Sequence, residues 1–281
     1  MRRVLEMTAS NKYQALLTRI DRLPSLLVAY SGGVDSTLLA FAAHAVLGDR
    51  CAAVLATSDT YPDREAQAAR DLAAELGFRL LVVETSELED PSFSANTPDR
   101  CYHCKTELFD LLKQVADAEG LAFVADGSNA DDLSDHRPGR RAAKEHGVVS
   151  PLAEVGLTKS EIRELARALT LPNWNKPSMA CLASRFPYGE PITDDALVRV
   201  ATAEESLIDL GLSQFRVRFH GDVARVEVAP EELEHAWRMR EAVSERIRSA
   251  GFAYATIDLD GYRTGSMNEV LGRAEQKAAT S

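Results

Sequence analysis

Ser31-Gly32-Gly33-Val34-Asp35-Ser36-Thr37 packs two glycines, three hydroxyls and a carboxylate into seven residues. The glycines let the backbone approach phosphate oxygens closely, and Ser31, Ser36 and Thr37 add hydroxyl donors. Asp35 has the chemistry to hold Mg2+ against those oxygens. The stretch is not a Walker A loop: it lacks the Gly-Lys-Ser/Thr ending and carries no lysine for a γ-phosphate. A tight turn whose Ser and Asp only cap a helix would use the same residue types. A later stretch, Asp126-Gly127-Ser128-Asn129-Ala130-Asp131-Asp132, is ordinary turn chemistry when taken alone.

The cysteines are Cys51, Cys101, Cys104 and Cys181. Cys101 and Cys104 form a C-x-x-C pair, a spacing shared by redox pairs, half zinc sites and iron-sulfur ligands. His103, between them, reads either as a further ligand or as a solvent-facing side chain. Cys181 is followed by Ser184 and Arg185, and a nearby cation favours a thiolate. Cys51 opens an apolar run and reads as core. Arg216-Val217-Arg218 alternates so that two guanidinium groups share one strand face, suited to bidentate capture of a phosphate or simply to solvation. Arg263, in a Gly-Tyr-Arg-Thr-Gly turn, is a third cation.

These residues need a frame, and the first half supplies apolar strand runs alternating with helical segments, the mark of a covered parallel sheet. Strands are expected at Leu26–Tyr30, Ala52–Thr57, Arg79–Glu84 and Ala122–Asp126. Helices are expected at Ser36–Leu47, Asp63–Leu76, about His103–Glu119 and Lys159–Leu169, with Gly48 and Gly77 ending the first two. The loop Ser31–Thr37 thus follows a buried strand and opens a helix, where amide groups and the helix dipole converge on an anion. Pro172–Pro191 is too irregular for a helix and too long for an ordinary connection, which marks it as a functional loop. Beyond it the pattern reads helix (Asp194–Leu210), strands (Phe215–His220, Val223–Val228), helix (Pro230–Ala250) and strand (Ala253–Asp258). The expected division is a sheet domain over residues 1–171 and a small α+β domain, with the irregular loop Pro172–Pro191, over 172–281.

A chain of 281 residues that is 45% hydrophobic can bury one large or two modest cores. With 32 Lys plus Arg against 43 Asp plus Glu, the net charge of -11 argues against a nucleic-acid partner, whose affinity rests on neutralised phosphates. No apolar run is long enough to span a bilayer, and the start lacks the apolar core of a signal peptide, so the expected location is the cytoplasm, without a membrane partner. In that reducing compartment the cysteines are thiols, metal ligands or redox groups.

The loop in its strand-to-helix context resembles the PP-loop family, the N-type ATP pyrophosphatases, in which it holds pyrophosphate while a substrate oxygen attacks the α-phosphate. The resemblance implies an adenine nucleotide alpha hydrolase-like α/β fold. It also implies ATP with Mg2+, Gly127 facing the nucleotide, and Ser58 beside the adenine. Over almost the whole chain, Asp99–Lys105, Asp135-His136-Arg137-Pro138-Gly139, Ser150-Pro151-Leu152, Lys176–Gly189 and Gly261–Asn268 resemble the LarE branch, sulfur transferases of nickel-pincer cofactor synthesis. That branch implies an ATP-dependent sulfur transferase. Its small-molecule substrate is a pyridinium-3,5-dicarboxylate mononucleotide, whose carboxylate is adenylylated and then attacked by sulfur. Arg216, Arg218 and Arg263 match the family's phosphate-binding arginines. Glu204 and Glu227 match acidic positions that hold a cation or order the arginines, or else are surface carboxylates, and Arg137 is placed near the adenylate. Asp35, Cys181 and Ser184 fall at the reacting centre. In one form of the family Cys181 is sacrificial and ends as dehydroalanine; in a three-cysteine branch Cys101, Cys104 and Cys181 hold a 4Fe-4S cluster. The family also implies a homo-oligomer, with a hexamer as the expectation. A PP-loop tRNA thiolase, an ammonia-dependent synthetase and a nucleotide sensor are the competing readings.

Overall fold

The computed structural model describes residues 2–133, 138–177 and 180–263, without the side chains of residues 2–8, 133 and 138. Arg137, with Asp135 and His136, lies outside the described residues, as do Ser178, Met179 and the stretch Thr264 to Asn268. The first elements are α1 (Arg2–Asp21), β1 (Leu26–Ala29), α2 (Val34–Leu47), β2 (Cys51–Thr57), α3 (Asp63–Leu76) and β3 (Leu80–Glu84). Then come α4 (Pro91–Ser94), α5 (Arg100–Ala118), β4 (Phe123–Ala125), α6 (Pro138–Glu145), α7 (Pro151–Glu154) and α8 (Lys159–Ala168). The remainder is α9 (Asp194–Asp209), β5 (Phe215–His220), β6 (Val223–Val228), α10 (Leu233–Arg238), α11 (Arg240–Ser249) and β7 (Tyr254–Ile257). Two compact units result: Met1–Glu87 with Asp99–Met179, and Leu88–Pro98 with Ala180–Ser281.

The first unit is an α/β fold around a parallel sheet of strand order β3-β2-β1-β4. Alternation along β1 explains how both faces are covered. Leu26 and Val28 pack with α1, α2 and α8 through Leu16, Ile20, Leu38, Leu39 and Ile162, whereas Leu27 packs with Phe109, Leu112, Ala142 and Ala143 of α5 and α6. Each such buried aliphatic chain contributes about 1.5–3 kcal/mol, so packing, not helix propensity, holds the polar-rich α1. That helix and the short α6 are not legible in the sequence, since the apolar residues of α1 do not fall in a regular helical stripe and few apolar residues interrupt the charged run of α6. The chain passes β1, β2 and β3 in one direction and then returns to place β4 on the other side of β1. The crevice at such a reversal, beyond the strand ends, is where open α/β sheets bind ligands.

In the second unit β5 pairs antiparallel with β6, and β6 pairs parallel with β7. The small C-terminal sheet carries α9 against β5 and α11 against β7. The single helix expected over Pro230–Ala250 is instead a short turn followed by α10 and α11, broken at Met239; nothing in the local sequence explains the break. Leu88–Pro98 is held within this unit by Asn96, whose Nδ2 donates to the carbonyls of Pro187 at 2.7 Å and Glu190 at 2.9 Å. Pro172–Lys176 stays with the first unit, tied there by side chains of the site. Among the described residues no helix is long and apolar enough to cross a membrane.

Candidate functional site

Gly33 ends the extended backbone of the loop, and α2 begins at Val34. Ser36 Oγ accepts from the Ser31 amide, lies 3.1 Å from Ser31 Oγ and donates to Gly33 O, so one hydroxyl folds the loop on itself. Gly32 has φ +61, and a Cβ there would stand 2.7 Å from Ala69 Cβ of α3. Only glycine satisfies both demands. Tyr61 donates to Ser31 O at 2.8 Å. Gly127, just after β4, lies so close to the start of α2 that a Cβ would be 3.0 Å from the Ser36 amide nitrogen. Ser58 follows β2 and shares a hydrogen bond of 3.0 Å with Thr60. The structure therefore brings Ser31 to Thr37 and Gly127 together at the reversal between β1 and β4.

Cations missing from the loop's own sequence arrive from the other end of the unit. Asp35 Oδ2 pairs with Lys159 Nζ, while Asp35 Oδ1 is buried without a hydrogen-bond partner among the described residues. Lys176 pairs with Glu65 at 2.6 Å and reaches Gly32 O at 3.4 Å. Asn173 Nδ2 donates to Gly32 O at 3.1 Å and to Thr37 Oγ1 at 2.9 Å. These bonds hold Pro172–Lys176 against the nucleotide loop. Lys159, Lys176 and Asn173 carry no mark of this role in the sequence, since only the fold closes separations of more than a hundred residues. The Leu-Thr-Lys-Ser-Glu stretch does carry one local signal, a capping box in which Thr158 and Glu161 bond reciprocally. The residues fit a Mg-nucleotide: backbone approaches where a side chain would collide, hydroxyl donors, and a buried carboxylate oxygen awaiting a partner.

Cys101 and Cys104 lie in the first two turns of α5, three residues apart and so on the same face of the helix. Cys101 is exposed and Cys104 half-buried. Cys104 Sγ lies 3.9 Å from Glu87 Oε1, which also accepts from Thr85 at 3.0 Å. His103 is half-buried, its ring edge-on to Tyr102 at 5.6 Å. Cys51 is buried at the start of β2, and burial pushes its thiol up to about 12. Cys181 is exposed in the second unit. Among the described residues no group of three or more His, Cys, Asp or Glu side chains is gathered to hold a metal. Cysteine thiolates are the usual ligands of iron-sulfur clusters; Cys101 and Cys104 belong to the first unit and Cys181 to the second.

Arg185 is engaged within the loop that carries Cys181. Its side chain is fully buried and pairs with Glu204 of α9, Nε to Oε1 at 2.8 Å and Nη2 to Oε2 at 2.7 Å. The charge expected to favour a Cys181 thiolate is thus engaged by a carboxylate. The remaining nitrogen, Nη1, donates to the carbonyls of Ala180 and Cys181 and to Ser184 Oγ, at 2.8, 3.1 and 2.9 Å. Arg218 Nη1 holds Ser184 O at 2.8 Å, and its Nη2 pairs with Glu227 at 2.7 Å. Glu204 and Glu227 are therefore buried partners of arginines, not surface carboxylates; Glu204 also accepts from the Val217 amide at 2.9 Å. Arg216 shares the face of Arg218 and lies 5.1 Å from the Tyr262 ring. Burial, then the neighbouring Arg185 charge, lowers the Arg216 pKa, a setting that favours an anion. Arg263 follows Tyr262, whose amide bonds Val228 O, and pairs with Asp260 at 3.2 Å. Arg225, missed in sequence, stands opposite Arg218 and pairs with Glu227 at 3.3 Å.

A four-stranded parallel sheet with a Ser-Gly-Gly-Val-Asp-Ser loop at its reversal defines a PP-loop α/β protein of the ATP pyrophosphatase class. Residues 18–108 match a family model described as NAD synthase. The chain is 44% identical over 264 residues to uncharacterized protein slr1717 of Synechocystis sp., covering 93% of this chain and 98% of that protein. It is 39% identical over 269 residues to the pyridinium-3,5-bisthiocarboxylic acid mononucleotide synthase of Lactiplantibacillus plantarum, covering 95% and 98%. A GMP synthase of Chlamydia caviae is 26% identical over 196 residues, 63% of this chain but 36% of its own length. The chain belongs to the pyridinium-3,5-bisthiocarboxylic acid mononucleotide synthase family, LarE.

Proposed function

We propose that the protein is an ATP-dependent sulfur transferase that converts a carboxylate of pyridinium-3,5-dicarboxylate mononucleotide to a thiocarboxylate for nickel-pincer cofactor synthesis. The observation that carries this reading is the 39% identity, spanning nearly both chains, to the Lactiplantibacillus synthase. The Ser31–Thr37 loop, Ser58 and Gly127 hold ATP, and Asp35 holds Mg2+. The substrate carboxylate oxygen bonds to the α-phosphorus as pyrophosphate leaves. Adenylation is needed because a carboxylate cannot expel oxide, whereas the acyl adenylate expels AMP. Arg216, Arg218 and Arg263 form the cationic side that receives the substrate phosphate, ordered by Glu204 and Glu227. Cys101, Cys104 and Cys181 are the thiolates for a 4Fe-4S cluster, which when bound supplies sulfide to the acyl carbon.

The exposure of Cys181 favours a second reading, in which its own sulfur attacks. AMP leaves, a thioester forms, and removal of the Cys181 α-proton with Cβ–S cleavage yields thiocarboxylate and dehydroalanine. Arg185 and Ser184, bonded around the Cys181 carbonyl, position the loop in either case. The proposed setting is a cytoplasmic homo-oligomer.

Anaerobic purification with iron and sulfide analysis separates the two. The cluster reading expects about four irons per chain, lost in Cys101→Ala; an iron-free protein after reconstitution, with Cys181 34 Da lighter after one turnover, establishes the sacrificial reading. Pyrophosphate release indifferent to the pyridinium dicarboxylate would reject both.

A further inference from the structure

We infer that Lys159 occupies the cation position beside Asp35 until nucleotide arrives, so that the divalent ion enters with the triphosphate and not before it. The inference rests on the ATP and Mg2+ reading of the loop. Asp35 has one oxygen paired with the Lys159 ammonium and the other buried, without a hydrogen-bond partner among the described residues. The ammonium balances the charge but leaves the carboxylate half satisfied, a state that a divalent ion with two or more oxygen contacts would improve.

Lys159 is fixed at its root, and its tip is held by Asp35. It is the first residue of α8, placed there by the Thr158 and Glu161 capping box. Its amide donates to Asp131 Oδ2 at 2.8 Å, and Glu161 is tied to Lys12 of α1 at 2.7 Å. Only the four-carbon side chain remains to move, and such a chain swings a point charge between nearby acceptors. A divalent ion on Asp35 would repel the ammonium. Triphosphate oxygens would accept it instead, through charge-assisted hydrogen bonds. Nucleotide binding then transfers Lys159 from carboxylate to phosphate and opens Asp35 to the metal. On a chain of net charge -11, this keeps the loop from gathering divalent ions without nucleotide.

Mn2+ titration of the full chain without nucleotide or substrate, followed by the electron paramagnetic resonance of free Mn2+, tests the inference. Each protein is compared with the same protein carrying Asp35→Asn, which removes binding elsewhere on the acidic surface from the comparison. Wild type is expected to show no Asp35-dependent site at micromolar Mn2+. Lys159→Met is expected to gain one, at least about tenfold tighter, and Lys159→Gln serves as a second neutral variant should Met disturb α8. Asp35-dependent binding as tight in wild type as in these variants overturns the inference, as does its absence from both. No pyridinium compound is present, so failure of the sulfur-transfer reading leaves the result standing. Failure of wild type to bind α,β-methylene-ATP with Mg2+ would instead overturn the nucleotide reading and the inference with it.

Discussion

In the proposed reaction cysteine is the residue type on which the chemistry turns, and the thiols differ in burial. Cys51 lies among apolar side chains that cannot solvate a thiolate, which is why its pKa is pushed up to about 12. Cys101 and Cys181 are exposed. Iodoacetamide at pH 8 is expected to alkylate Cys101 and Cys181 in the native, metal-free protein and to spare Cys51 until denaturant is added. Peptide mass spectrometry reads the difference directly, and native labelling of Cys51 would contradict its place in the core. At the same scale Arg185 is a positioning residue. Two of its nitrogens neutralise Glu204 and the third binds the Ala180 and Cys181 carbonyls.

At the scale of elements, the nucleotide loop is shaped by the approach of α3 and by the β4 end. Gly32→Ala would add a methyl group at φ +61 and 2.7 Å from Ala69 Cβ. The expected cost is about 1–3 kcal/mol of stability from backbone strain and overpacking, seen in denaturant unfolding, together with a weaker affinity for ATP. In the second unit the turn after Cys181 is held between α9 and β5 by Arg185, Glu204 and Arg218. Arg185→Met would strand Glu204 in a buried position. Breaking a buried pair from one side costs about 3–5 kcal/mol, so the melting temperature of the affected transition should fall by roughly 12–20 °C. A loss of activity without loss of stability would show that the arginine acts on substrate instead.

For the whole molecule, net charge argues for the proposed small-molecule sulfur transferase over a PP-loop tRNA thiolase. A tRNA thiolase must neutralise a polyanion, and a chain of net charge -11 lacks the excess cations for it. Bulk tRNA at about 100 mM salt is expected to leave the protein's electrophoretic mobility and its pyrophosphate release unchanged. A small phosphorylated substrate is compatible with that acidity because it needs only a local group of arginines. On β5 and β6 those arginines alternate with buried Val217 and Val226, and each strand partner is a charged residue. The surrounding carboxylates keep several guanidinium groups folded close together.

The amino-acid sequence by itself determined the parallel sheet, the position of the Ser31–Thr37 loop between strand and helix, and the family. Such features rest on short-range periodicity, turn chemistry and local motifs, each contained within a short stretch of chain. It also placed Arg216 and Arg218 on one face, since strand alternation is local. The polar-rich α1 was not legible, because its burial comes from α2 and α8. Nor was the pairing of Lys159 with Asp35, the reach of Asn173 and Lys176 to Gly32, or the engagement of Arg185 by Glu204. These contacts join residues whose spacing carries no periodic signal, and charged side chains look alike in sequence whether they meet solvent or a buried partner. Only the tertiary structure decided which carboxylate each cation would neutralise, because that depends on which chain segments the packed core brings within about 3 Å of one another.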